Sequence, residues 1–382
     1  MSKVLLLDTA FASVPIYNYL IKQGHSVYVM GNRAGDALAM RAGPKWINQD
    51  YSQIESVKHI VADYEFDYIL PGCTDLSIEV CQEVVDTYDF FDAPEAYQYL
   101  GDKEHFRKMC AELDLLSPQR KQREDFPLSG RYICKPVDAF SGRGVSVIDG
   151  MDIDSVANAD EVARSVSHTG RSLFETFVEG QLYSYSAFIE QRKVVESFVV
   201  IEGSSSNPYA VDTSYVDDEF NEDARAVLKK SIEVIAQHLQ LRDGLVHLQF
   251  ILADGQPYLI EITRRCPGDL YSKLIEYSTG FDYAGKFASY FTGDTYSTAV
   301  NQCTPIVRHT MAANELMHYE VSEFVDSLKV KAFYPLLSLG SEVLPNQKTR
   351  VAILFSQEED KKNSYDKYLA REQYTLSMNV WF

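Results

Sequence analysis

Basic side chains are scarce in this chain of 382 residues: 36 Lys and Arg stand against 55 Asp and Glu, a formal net charge of -19. Such a surface is repelled by phosphate backbones and anionic membranes, which excludes nucleic acid as a general partner. Any anion bound here needs its own local cluster of cations. Long hydrophobic runs are missing too. No stretch approaches the ~18 apolar residues of a membrane span, and the opening MSKVLLLD is too short an apolar run for a signal peptide. Cysteine pairs are absent: Cys73, Cys81, Cys110, Cys134, Cys266 and Cys303 are dispersed with no CxxC, which argues against zinc and disulfides and reads as reduced thiols in a cytoplasmic protein. There is no GxSxG elbow, no internal repeat and no low-complexity segment.

What is present is ordinary for a globular chain, with 46% hydrophobic and 24% charged residues, and the length suggests two or three domains. KVLLLD, HSVYVMG and YILPG alternate with helical stretches in a βαβαβ pattern, hence a parallel sheet. The first turn, Asp8 to Ser13, contains no glycine, so a dinucleotide site is rejected there. Asp102 predicts an N-cap for KEHFRKMCAELDL. From Arg131 to Glu202 the chain is rich in short strands. A helix follows from about Asn221 to Leu239, with Ala224, Val227, Leu228, Ile235 and Leu239 as its apolar stripe and His238 packing at its border. The stretch 203–219 is loop-like and long enough to carry function.

LVHLQFILADGQPYLIEITRR, Leu245 to Arg265, reads as a hairpin about Ala-Asp-Gly. Alternation puts His247 with Gln249 on one face of its strand and Glu261 with Thr263 on one face of the partner. A two-residue loop sets Gln249 and Glu261 on opposite faces. A three-residue loop, with Gly255 left-handed in a bulge, sets them together, and a carboxylate beside an amide oxygen and a hydroxyl suits Mg²⁺ completed by phosphate oxygens. The plainer alternative pairs Glu261 with Arg264 or Arg265.

Taken in order, GDKEHFRK (101–108), YICKP (132–136), SGRGV (141–145), LFETFVEG (173–180), HLQF (247–250) and EITRRCPG (261–268) resemble the motif series of the ATP-grasp ligases. The likeness is to the branch with carbamoyl phosphate synthetase, biotin carboxylase and the L-amino-acid ligases. No single motif is specific; their order and spacing carry the resemblance. It implies an α/β chain of ATP-grasp fold, with a Rossmann-like domain over 1–100 and an ATP-grasp domain over 101–300. The latter divides into a small lobe, about 120–178, and a large lobe, about 179–300, and a β-rich subdomain covers 301–382.

The same resemblance assigns Lys103 and Lys135 to the phosphates of ATP, and Ser141, Gly142, Arg143 and Gly144 to a loop over the triphosphate. Glu175, Thr176, Phe177 and Val178 become the hinge that reads the adenine edge, with Glu175 accepting from the amino group. Gln249, Glu261 and Thr263 would hold Mg²⁺, or Mn²⁺ in its place. Arg265, with Lys135, would steady the transferring phosphoryl group, while Arg264 should point away and be structural. Leu182 stands where relatives carry a ribose-binding Glu, which makes Glu179 the replacement candidate. Thr263 replaces the usual Asn, and one acid fewer among the metal ligands implies weaker metal retention without nucleotide.

The activity implied is an ATP-dependent, ADP-forming joining of a small carboxylate, such as an amino acid, to an amine through an acyl-phosphate. The alternatives are activation of bicarbonate or another small acid, and nucleotide binding without turnover. Tyr209, Asp212 and Tyr215 in the long loop, together with His247 and Arg308, are the candidate substrate contacts, although a solvated loop explains the acidic residues equally well. Among relatives, a homodimer is a common assembly.

Overall fold

The computed structural model describes residues 1–85, 90–139, 142–296, 300, 303–345 and 349–377. Lys3–Leu7 is an inner strand of a four-stranded parallel sheet ordered Trp46–Asn48, Ser26–Gly31, Lys3–Leu7, Tyr68–Pro71. Val4 to Leu7 are wholly buried, as a parallel strand covered by helices requires. Trp46–Asn48 is an added edge strand, too short to announce itself by pattern. The first turn is filled by its own side chains. Asp8 accepts from the Ser13 hydroxyl (2.6 Å) and from the amides of Ala10 and Cys73. The glycine after the Tyr68–Pro71 strand permits this closure, since a Cβ on Gly72 would lie 2.2 Å from Asp8 Cβ.

The second sheet is antiparallel, ordered Arg120–Lys121, Ser172–Thr176, Arg131–Pro136, Ser146–Asp149, with helix Ile153–Val166 packed on it through Val156, Ala159 and Ala163. The third sheet has eight antiparallel strands. Its order is Gln256–Thr263, Gly244–Ala253, Gln181–Glu190, Lys193–Gly203, Thr213–Val216, Ile306–Ala312, Arg350–Gln357, Val330–Pro335. The strands after residue 305 therefore extend the large-lobe sheet, rather than building only a sheet of their own, and the expected break near 300 is not a break in this sheet. Short pairs, Met317–His318 with Glu342–Val343 and Val321–Phe324 with Tyr374–Ser377, decorate its end.

Each face of the large sheet meets different helices. Tyr183, Tyr185, Val246, Leu248 and Phe250 pack under helix Glu222–His238, while Phe188, Val200 and Leu245 pack with Tyr271–Thr279, Tyr283–Thr292 and the N-terminal sheet. Asn221 caps the first of these helices by accepting from the Ala224 amide. Its buried stripe is Ala224, Leu228, Ser231, Ile232, Ile235 and Ala236. Val227 and His238, expected to pack, are exposed instead because the stripe lies a residue further round the helix. Asp102 caps Lys103–Glu112 as predicted, accepting from the amides of Glu104 and His105. No helix among the described residues is long and apolar enough to cross a membrane.

Arg264 ties the N-terminal segment to the large sheet. Its Nε lies 2.7 Å from Asp92 Oδ2, and its other nitrogens donate to the carbonyls of Leu245 and Arg242, all within the core. Removing one partner leaves the other charge buried, so Asp92→Ala should lower the unfolding free energy by roughly 3–5 kcal/mol in urea denaturation. A loss below about 1 kcal/mol, the level of an exposed pair, would refute the buried tie.

Candidate functional site

The hairpin turn has two residues, Asp254 and Gly255, both at positive φ (+50° and +74°), with Ala253 paired to Gln256. Such turns match the twist of the flanking strands. Strict alternation from this turn would place Gln249 and Glu261 on opposite faces. A bulge intervenes: Phe250 pairs with Leu259 but Gln249 pairs with Glu261, leaving Ile260 unmatched. The extra residue returns Gln249 and Glu261 to one face and brings His247 and Thr263 there with them. Of the two loops the sequence left open, the two-residue one is present, and the bulge supplies the shared face that the three-residue alternative would have given.

Neighbouring strands continue this face in short polar residues. Ser184 stands opposite Gln249 and Ser186 opposite His247, while Glu202, Ser214 and Arg308 form a second cross-strand row. Residues of the other parity face away. Tyr215, expected near the substrate, follows Ser214 and is turned against Tyr365 in the C-terminal core. Asp212 is corrected as well: its buried carboxylate accepts from the Ser205 amide and hydroxyl and from Thr213, closing the loop on itself.

Cations gather around the carboxylates placed on this face. Lys103, the first residue of its helix, donates to the Ala139 carbonyl (2.8 Å) and lies 3.5 Å from Glu261. Glu261 therefore pairs with neither Arg264 nor Arg265. Burial pushes the Glu261 carboxyl up, and Lys103, Lys135 and Arg265 outweigh it, so its pKa falls below the ordinary value. Lys135, at the buried end of Arg131–Pro136, sits 2.7 Å from Glu175, whose other oxygen is 2.5 Å from Arg107. Burial holds the Lys135 pKa down to about 8, with Glu175 opposing. The Glu175 carboxyl, raised by burial, is brought below its usual value by Arg107 and Lys135. Its side chain is thus engaged by cations rather than open to an adenine amino group.

At the hinge, Thr176 and Phe177 give their amides to the carbonyls of Gln119 and Arg131. Among the described residues the Val178 amide has no hydrogen-bond partner. The Arg131 guanidinium covers the Phe177 ring at 4.1 Å and lies 3.6 Å from Glu179, which is largely exposed. Gly142 and Gly144 adopt φ of +67° and +70°, and a Cβ on Gly142 would lie 2.6 Å from the Tyr209 carbonyl oxygen. Backbone meets backbone here, bringing the glycine loop onto Tyr209 of the large lobe. Arg143 is exposed, and Ser141 lies outside the described residues.

Arg265 forms a two-point pair with Asp75, at 2.7 and 2.8 Å, and Thr263 donates to the same carboxylate at 3.3 Å. Asp75 is the first residue of helix Asp75–Val84, just beyond its cap Thr74, at the carboxyl end of the parallel sheet. Thr74 is thus a helix cap, while Asp75 faces the candidate site through Arg265. Arg308 is wholly buried, with Nε on Ser214 (2.8 Å), Nη1 near Asp269 (2.9 Å), and Nη2 without a hydrogen-bond partner among the described residues. His247 is buried, with Nδ1 at 2.6 Å from the Ser186 hydroxyl. Burial also pushes the Cys266 thiol well above its usual pKa, away from nucleophilic use.

The sequence reading passed over Glu202, Asp269, Arg107 and Ser184. Glu202 is buried and accepts from the Gln249 amide nitrogen at 2.7 Å. Burial raises its pKa to about 7, a hydrogen bond with Ser184 and the charge of Arg308 acting against that rise. The signals were legible: YSYS alternates large and small polar residues over 183–186, and an acid ends the apolar run VVIE at 199–202.

Residues 100–269 match the family model of the ATP-grasp domain. This segment is an ATP-grasp domain. No curated protein matches the chain by sequence. Among solved structures, phosphoribosylglycinamide synthetase from Anaerococcus prevotii is similar at 15% identity and TM-score 0.76, covering 99% of this chain and 100% of its own. L-amino acid ligase from Bacillus licheniformis gives 15%, 0.74, and 99% of each chain. The biotin carboxylase domain of Hydrogenobacter thermophilus 2-oxoglutarate carboxylase, a dimer in complex with MgADP, ADP and bicarbonate, gives 14%, 0.77, and 98% and 90%. The whole chain, beyond the ATP-grasp domain itself, shares the fold of these enzymes.

The ATP-grasp domain supplies a donor set suited to a hard cation arriving with phosphates. No group of three or more His, Cys, Asp or Glu side chains that could hold a metal occurs among the described residues. Gln249 and Glu261, side by side, offer two protein oxygens and leave the remaining positions to phosphate and water.

A pH dependence follows from His247, whose pKa burial lowers from 6.5 to about 4, with Arg265 adding to the effect. The unfolded chain takes up this proton below 6.5 and the folded one resists until about 4, so stability is full above the window and falls as pH drops through it. His247→Asn should make that loss shallower, by up to about 1.4 kcal/mol per pH unit in urea unfolding. Identical slopes in variant and parent would mean the imidazole takes up its proton as readily in the fold as in the unfolded chain.

Proposed function

We propose that the chain joins a carboxylate to an amine with ATP, forming ADP through an acyl-phosphate, and that an amino acid is one of its substrates. The observation that carries this reading is the facing pair Gln249 and Glu261, with Lys103 3.5 Å from the carboxylate. Lys135 and Arg265 stand among the charges acting on the same group. Phosphoryl transfer is mostly positioning and charge neutralisation, and this inventory serves both. The L-amino acid ligase and the phosphoribosylglycinamide synthetase among the structural relatives support a reaction of this class.

In this reading the Val178 amide meets the adenine edge, and Phe177 under Arg131 forms the wall beside it. Lys103, Lys135 and the backbone around Gly142 and Gly144 hold the phosphates. Gln249 and Glu261 would hold Mg²⁺, which would supply neutralisation of phosphate charge during transfer. Thr263 supports that pair by its hydroxyl. A carboxylate oxygen of the substrate attacks the γ-phosphorus, the bond to the bridging oxygen breaks, and ADP leaves. Arg265, held flat by Asp75, faces the charge that develops. The amine nitrogen then attacks the acyl carbon and phosphate departs. His247 and the free nitrogen of Arg308 contribute at the substrate end, Arg308 toward a carboxylate. The contact between the glycine loop and Tyr209 excludes water from the reactive acyl-phosphate.

ADP release would be measured with Mg²⁺ and ATP against amino acids and small carboxylates, singly and in pairs. Release should depend on one pair, and Glu261→Ala should cut it by roughly a hundredfold or more while metal-free nucleotide affinity holds. Lys135→Ala should weaken ATP binding by about tenfold or more. Undiminished turnover in Glu261→Ala would remove the metal assignment, and unchanged affinity in Lys135→Ala the phosphate one.

A further inference from the structure

We infer that Glu202 is a positioning residue: it fixes the Gln249 side-chain amide so that the oxygen, not the nitrogen, is the end left for a cation beside Glu261. The inference rests on the metal role proposed for Gln249. A glutamine amide has one accepting and one donating end, similar in size and opposite in polarity. Only the accepting end can ligate a divalent cation. Left free, the amide would present its nitrogen part of the time, and the ligand would be lost in that fraction.

The placement of Glu202 settles which end is which. It lies near the close of strand Lys193–Gly203, two residues beyond Val200, which stands opposite Ser184; Ser184 in turn stands opposite Gln249. Glu202 therefore shares the polar face with Gln249 and approaches it from the side away from Glu261. Gln249 Nε2 donates to Glu202 Oε2 at 2.7 Å. A carboxylate accepts, so it holds the nitrogen and turns the oxygen outward. The Glu202 side chain is buried, and its hydrogen-bond partners are the neutral Gln249 amide and Ser184 hydroxyl. A buried carboxylate without a cation in contact is costly to keep for packing alone. Orientation of the amide is a task that an apolar residue there could not perform.

The test uses Mn²⁺ as the probe, its free fraction read by electron paramagnetic resonance in the presence of a non-hydrolysable ATP analogue. Glu202→Gln offers Gln249 either polarity and should weaken Mn²⁺ binding by about tenfold, the lower end of what loss of an orienting partner costs. Analogue binding in EDTA should not change, which also reports that the variant is folded. Gln249→Glu alone supplies a carboxylate that needs no orienting and should bind Mn²⁺ at least as tightly as the parent. The swap Glu202→Gln with Gln249→Glu should restore binding to within about threefold of the parent, because the new carboxylate has two equivalent oxygens.

Equal Mn²⁺ affinity in Glu202→Gln and the parent would overturn the inference. So would a swap as weak as the weaker single variant. Glu261→Ala separates the two levels. If it loses Mn²⁺ binding while Glu202→Gln keeps it, the inference alone fails. If Mn²⁺ binding ignores Glu261 too, the functional reading fails and takes the inference with it. Should Glu202→Gln not fold, the swap carries the decision, since its restored or unrestored affinity answers the same question.

Discussion

Side chains alternate across a strand, and the site exists because one residue breaks that alternation. With Ile260 inserted, Glu261 and Thr263 pass from the face under helix Glu222–His238 to the face that holds Gln249 and His247. Everything assembled around the carboxylate depends on that shift. Lys103 approaches Glu261 from a helix whose start is fixed by the Asp102 cap, and Arg265 continues the same strand past Thr263 to reach Asp75. Without the bulge the acid would enter a wall of Tyr183, Tyr185 and Phe250, where no cation could follow.

Local charge runs against the charge of the whole. A chain with net charge -19 concentrates Lys103, Lys135, Arg107 and Arg265 at one place and balances them with Glu175, Glu261 and Asp75. Burial makes the balance conditional. Lys135, with its pKa near 8, keeps its proton at neutral pH chiefly through Glu175, and any further anion brought beside it strengthens that hold. The cluster is thus better matched to its surroundings with an anionic ligand present than without one, which is the local device the acidic composition demanded.

Much of this was legible in the sequence, for reasons that differ by residue. Asp102, Lys103 and Lys135 are set by local rules, a cap and a strand end, and they stand where those rules put them. Arg264 and Arg265 separate to opposite sides because alternation is reliable over two positions. The hairpin register was legible only as two alternatives, since a bulge in mid-strand has no mark as plain as Asp-Gly. Tyr215 and Asp212 were misplaced because a loop was read as free where it forms strand Thr213–Val216 and an internal hydrogen-bonded turn. The pairings of Glu202 and Asp75, as distinct from the residues themselves, were out of reach for another reason: their partners, Gln249 and Arg265, lie 47 and 190 positions away. No local pattern encodes such a pairing.

The continuation of the eight-stranded sheet past residue 305 bears on how the chain can be divided. The segment 100–269 carries the nucleotide and metal candidates, yet cut out alone it would end the sheet at Thr213–Val216. That strand, buried throughout and normally paired with Ile306–Ala312, would become a bare edge with its hydrogen-bonding groups unmet. Bare edges recruit strands from other molecules. The C-terminal strands therefore cover the edge that Thr213–Val216 would otherwise leave bare, and Asp75 from the opposite end of the chain gives the arginine its counter-ion. The unit that carries the candidate site is the whole chain.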